Sequence, residues 1–94
     1  MSKFNYFKNI LVDGYDFPTV PQVKMDFNSQ GIALLNLGTK IAEYSFNGTD
    51  LHGTLDPSNP SRGIIFDARV ESKIFFRATQ DGYGMRIRVE CWAP

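Results

Sequence analysis

Apolar and polar side chains alternate with a period of two along most of this chain, the pattern of half-buried strands whose successive side chains point to opposite faces. The alternation is clearest over residues 69–77, where Val70, Ser72, Ile74 and Phe76 interleave with Arg69, Glu71, Lys73, Phe75 and Arg77. Residues 85–92 repeat it, with Met85, Ile87, Val89 and Cys91 on one side and Arg86, Arg88, Glu90 and Trp92 on the other. Shorter segments precede these. Residues 4–12 carry Phe4, Tyr6, Ile10 and Val12 on one parity, and residues 22–27 group Val23, Met25 and Phe27. Residues 31–35 and 41–46 are short and apolar, and residues 51–55 set Leu51 and Leu55 against His52. The run at residues 63–66 predicts a buried strand. No window holds a capped amphipathic helix. The expected fold is all-β: a small antiparallel sandwich or partly open barrel of about seven or eight short strands.

Turn chemistry separates the segments. Asn47-Gly48 predicts a type I′ hairpin, because both central residues of that turn need positive φ. Residues 28–31, 38–39 and 81–84 supply further turns, and Pro-containing connections run over residues 13–21 and 56–61. The last two segments are expected to pair as a hairpin across residues 81–84. Even-numbered Val70, Ile74 and Phe76 would then share a face with odd-numbered Met85, Ile87 and Val89. Two registers satisfy that parity. One sets Lys73 opposite Glu90; the other sets Glu71 opposite Arg88 and Arg69 opposite Glu90.

With 94 residues, the chain has the size of one domain, typically about 100 to 150 residues. A single β domain over residues 1–94 is expected, with residues 1–21 as a candidate extended N-terminal arm. Aromatic residues make up 14%, with eight Phe, which is on the rich side, and large rings supply much buried area per residue. Ten basic and ten acidic side chains cancel, which predicts no attraction to nucleic acid or an anionic membrane and little repulsion between copies. The opening residues lack an apolar run of signal-peptide length and Cys91 has no partner for a disulfide, so synthesis in a reducing compartment is expected.

Candidate chemistry is sparse. His52 and Cys91 are the sole residues of their types. A zinc site would need further ligands, and a Cys–His nucleophile pair would need a reactive thiol. His52 is expected to face solvent, and Cys91 shares parity with Ile87 and Val89, so it is expected in the core. Asp13, Asp16, Asp56 and Asp67 fit turns and strand ends better than a calcium loop. No cofactor, metal or catalytic activity is expected. Arg69, Lys73, Arg77, Arg86 and Arg88 fall with Phe75 and Trp92 on one predicted face, but Glu71 and Glu90 interrupt what would otherwise be a basic stacking platform. Phe75 and Trp92 are exceptions on that polar face. Either loops or the N-terminal strand cover them, or they anchor a subunit contact together with Arg77 and Arg88, as aromatics and Arg do at interface centres.

The runs at residues 31–38, 41–48 and 51–55, followed by Asp56-Pro57, Asp67-Ala68-Arg69, residues 73–77 and residues 90–93, resemble small β-sandwich proteins of tailed-bacteriophage virions. The quoted features are a strand leading into a "YSF-Asn-Gly" hairpin (Tyr44 to Gly48), a Pro-bearing loop, an Asp-x-Arg strand, an aromatic followed by Arg, and a closing "WA" (Trp92-Ala93). The likeness spans residues 31–93. It implies a non-catalytic structural protein located in the virion and made in the host cytoplasm, a multi-copy capsid decoration or cement protein. Its partners would be the major capsid protein or neck and tail proteins, and the chain itself would form a homo-oligomer. A neck or tail component is the first alternative. A carbohydrate-binding module is the second, with Trp92, Phe75, Tyr83 or Tyr15 stacking on sugar rings.

Overall fold

A computed structural model describes residues 4–58, 62–79 and 85–94. Eight strands follow one another: β1 (Phe4–Val12), β2 (Val23–Lys24), β3 (Gly31–Asn36), β4 (Ala42–Ser45), β5 (Gly53–Leu55), β6 (Gly63–Phe66), β7 (Lys73–Ala78) and β8 (Met85–Ala93). They form two four-stranded antiparallel sheets, β1-β8-β3-β6 and β2-β7-β4-β5. The order has a simple origin. β4 pairs β5, β3 pairs β6, β2 pairs β7 and β1 pairs β8, so the chain is one long nested ribbon with residues 46–52 at its tip. Folding that ribbon over itself adds the pairs β3–β8 and β4–β7 and divides it into two layers. This is the jelly-roll form of the β-sandwich, and the expected all-β sandwich is what the chain adopts.

The alternation explains why the layers pack. Ile10 and Val12 of β1, Ile32 and Leu34 of β3, and Ile87 and Val89 of β8 are buried on the inner face of the first sheet. They meet Val23, Tyr44, Leu55, Ile74 and Phe76 from the second. Burying each large side chain contributes roughly 1.5–3 kcal/mol. Polar groups caught inside are satisfied, and no buried side-chain nitrogen or oxygen among the described residues lacks a partner. Fully buried Asn36 ties the layers together: its amide donates to the carbonyls of Lys40 (2.7 Å) and Leu55 (3.0 Å), and its Oδ1 accepts from Gly38 N–H (2.8 Å). Gln22 extends β2 with a side chain, donating to the carbonyl of Phe76 at 2.8 Å and accepting its N–H at 2.9 Å.

Several expectations are corrected. β7 and β8 do not form a hairpin. They belong to opposite sheets, so Lys73 lies opposite Lys24 and Glu90 opposite Phe7 and Ala33. Pairing each strand with a sequence-distant partner buries both of its edges, which a terminal hairpin would leave half exposed. The connection at residues 81–84 lies outside the described residues. Val70 precedes β7 and is exposed, and the strand starts only at Lys73. β6 is an edge strand with Ile65 66% exposed, not a buried one. Asn47-Gly48 does lie in the β4–β5 connection, but no non-glycine residue among those described has positive φ, Asn47 included, which rules out type I′. Instead Asn47 Oδ1 accepts from the N–H groups of Thr49 (2.9 Å) and Asp50 (2.8 Å), while Gly48 takes a positive φ of 82°. Residues 4–12 are paired to β8 along their whole length and place Ile10 and Val12 in the core. That part of the candidate arm is therefore an edge strand of the sandwich.

Candidate interaction surface

The outer faces of the two sheets differ in what lies over them. On β2-β7-β4-β5, Phe75 points outward yet is only 4% exposed. The tip loop folds over it, with its ring against Gly48, where a side chain would come within 3.1 Å. Beside it Arg77 donates to Glu43 Oε1 at 2.7 Å across the β4–β7 register, and Phe17 of the β1–β2 connection lies 4.3 Å from the guanidinium. Around Phe75 and Arg77 this face is roofed by the chain's own loops, while Lys24, Lys73 and Thr54 at its margins stay exposed.

The outer face of β1-β8-β3-β6 carries a regular array, set by the strand registers. One cross-strand row runs Asn5–Trp92–Gly31, the next Phe7–Glu90–Ala33–Ile65, the next Asn9–Arg88–Leu35–Gly63. Leu11 and Arg86 begin a fourth, joined by Leu37, whose N–H bonds the Arg86 carbonyl. Phe7 is 58% exposed, Leu11 54%, Leu37 49% and Ile65 66%. Arg88 sits 4.9 Å above the Phe7 ring and donates to Glu90 Oε1 at 3.0 Å. A groove of about 510 Å³ follows β3, floored by Ala33, Leu35 and Gly63 and walled by Ile65 on one side and Arg88 with Glu90 on the other. Trp92 lies flat across Gly31, where any Cβ would fall inside the indole. Only glycine there lets the ring lie down.

The four expected interface residues are therefore split. Trp92 and Arg88 lie on the open face of the first sheet; Phe75 and Arg77 lie on the roofed face of the second. Phe75 and Trp92 are not neighbours, because their strands are in different layers. The same division separates Arg86 and Arg88 from Lys73 and Arg77, so the single basic platform does not form. Phe7, Leu11, Leu35 and Ile65 complete the open face and were not singled out by the alternation. A signal was present: Phe7 and Leu11 have the opposite parity to Ile10 and Val12, which makes β1 apolar on both faces. Tyr83 falls outside the described residues.

The groups with chemical potential are placed elsewhere. His52 is exposed, and its Nδ1 accepts the N–H of Phe46 at 3.1 Å, fastening the tip loop. Cys91 is 1% exposed on the inner face, and burial pushes its thiol up to about 12. A thiol held neutral in this way is a packing group. Burial also raises the phenols of Tyr6 and Tyr44. Asp56 is held below its ordinary value by the Ser58 hydroxyl and N–H, at 2.6 and 2.9 Å, the signature of a turn carboxylate. Comparison with family models, with curated proteins and with solved structures finds no match to this chain.

Proposed function

We propose that this chain is a structural protein of a tailed-bacteriophage virion, a multi-copy capsid decoration or cement protein that works by contact and not by catalysis. The observation that carries the reading is the open outer face of β1-β8-β3-β6, which presents Phe7, Leu11, Leu37 and Ile65 to solvent around an Arg88–Glu90 pair. An apolar face of this kind with charges set into it suits a protein contact. The resemblance over residues 31–93 supplies the virion, and the jelly roll is an architecture that capsid proteins share with lectins. A mass census of purified particles tests it. Copy numbers in the hundreds support a shell position, while about a dozen or only a few move the protein to the neck or tail. Absence from particles overturns the virion role.

One feature favours a second reading. The groove of about 510 Å³ has the size of a small-molecule site, roughly 300–1,000 Å³, and Arg88, Glu90 and Trp92 share its face. A carbohydrate module would gain thermal stability with a matching glycan and would bind no particles.

A further inference from the structure

The face just described is complementary to itself. We propose that it packs against the same face of a second copy, across a two-fold axis that lies in the interface and runs perpendicular to the strands. The inference rests on the multi-copy reading and names the surface that reading requires. Such an axis, placed between the Phe7–Glu90–Ala33–Ile65 row and the Asn9–Arg88–Leu35–Gly63 row, brings each row over the other row of the second copy. Glu90 then meets the partner's Arg88, and Arg88 meets the partner's Glu90. Ile65 meets the partner's Gly63, over which the partner's Leu35 leans, and Leu35 meets the partner's Ala33. The flanking rows exchange in the same way, so that Trp92 meets the partner's Arg86, a favourable cation–ring contact. On β3 and β6 large side chains fall on small ones, on β8 acids fall on bases, and on β1 Phe7 and Leu11 fall on the partner's Asn9 and the partner's Asn5.

The alternatives fit less well. An axis parallel to the strands and over β8 would oppose Arg88 to the partner's Arg88 and Glu90 to the partner's Glu90. Moved midway between β8 and β3, it would lay Arg88 over the partner's Leu35 and Glu90 over the partner's Ala33, with no opposite charge across the contact. Pairing through the β1 edge meets Lys8, a solvent-exposed charge at an inward-facing position of an edge strand, which is a usual device against edge-to-edge association. Aligned sheets pack at about −30°, so β8 and β3, nearest the middle, hold the match best. Four strands about 4.8 Å apart and four rows along them give a patch of roughly 14 by 20 Å. That is below the standard size for a stable complex, so the contact is weak in solution and gains from the high local concentration on a particle.

The test is sedimentation of the purified full chain from roughly 10 µM to 1 mM, with Arg88→Glu, Glu90→Arg, the double exchange, and Ile65→Asp. The wild type should rise from 10.6 kDa towards twice that mass. Each single reversal and Ile65→Asp should stay monomeric. The double exchange should associate again, because position 90 then carries the base and position 88 the acid. Unchanged thermal midpoints show that the exposed substitutions leave the fold intact, and the double exchange controls for folding by its own recovery. A wild type monomeric throughout, or a double exchange no better than the singles, overturns the proposal. Incorporation of a strictly monomeric protein into particles would overturn this interface and leave the virion role standing. A dimer absent from particles would do the reverse.

Discussion

The two outer faces of this sandwich are built on the same strand alternation and end in opposite states. Over β2-β7-β4-β5 the connections fold back, so an outward Phe75 is nearly as buried as the core. Over β1-β8-β3-β6 nothing in the described residues folds back, and Phe7 and Ile65 are left more than half exposed. Parity decides which face a side chain points to; connections decide whether that face meets water. An aromatic at an outward position is thus ambiguous until the loops are placed, and here the two outward phenylalanines resolve in opposite directions.

Truncating those two rings gives the largest contrast. Phe75→Ala removes a buried ring and should cost about 3 kcal/mol, the lower end of the range for Phe→Ala because the tip loop can partly settle. Phe7→Ala should change stability by less than about 0.5 kcal/mol. Urea unfolding of both variants reads the difference. Equal costs would mean that the two faces are not distinguished as described.

The lid itself can be loosened next. Gly48 has φ of 82° and sits against the Phe75 ring, so Gly48→Ala meets both backbone strain and a close contact. A loss of about 1–2 kcal/mol is expected, with Phe75 more open to solvent. If the midpoint is unchanged, the tip loop does not hold the roof in place.

These contrasts also mark how far the sequence reads. β1 and β6 have the expected boundaries, and Met85, Ile87, Val89 and Cys91 are buried as their parity requires. The tip of the ribbon is announced by Asn47-Gly48, although its geometry is an Asn-organised loop. What period-two pattern does not carry is sheet membership. β7 and β8 look like hairpin partners because they are adjacent and both strongly alternating, and nothing local in Ile74 or Ile87 says that they face each other across the core. Phe75 and Arg77 therefore lie in the other layer from Trp92 and Arg88. Trp92 and Arg88 face outward as their parity requires, but their neighbours Ala33, Leu35 and Ile65 come from strands whose pairing only the assembled sheet reveals.

Charge pairs show the same difference at a smaller scale. Arg77 and Glu43 are cross-strand partners at 2.7 Å with side chains 30% and 16% exposed, whereas Arg88 and Glu90 are 47% and 42% exposed at 3.0 Å. Arg77→Ala strands a half-buried carboxylate and uncovers Phe17, so a loss of about 1 kcal/mol is expected. Arg88→Ala should cost no more than about 0.5 kcal/mol in the dilute monomer, and that little should vanish in high salt. Denaturation at low and high ionic strength separates the two. An Arg88 variant as unstable as the Arg77 variant would mean that the open face is structural.

Exposure of a face is not the same as looseness of the sheet beneath it, and Cys91 distinguishes them with almost no effect at neutral pH. Its side chain lies on the inner side of β8, directly under the open face, and its thiol is pushed up from 9.0 to about 12 by burial. Because the folded value is raised, the fold favours the neutral thiol. That stabilisation is fully present below pH 9 and is lost as pH rises from 9 towards 12. Native protein at pH 8 should therefore label with a thiol reagent only at the rate of unfolding. Above pH 9 the wild type should lose stability more steeply than Cys91→Ala, by at most about 1.4 kcal/mol for each pH unit. Rapid labelling at pH 8 under native conditions would show that β8 opens to solvent without global unfolding, so that the sheet beneath the bare face is loose as well as uncovered.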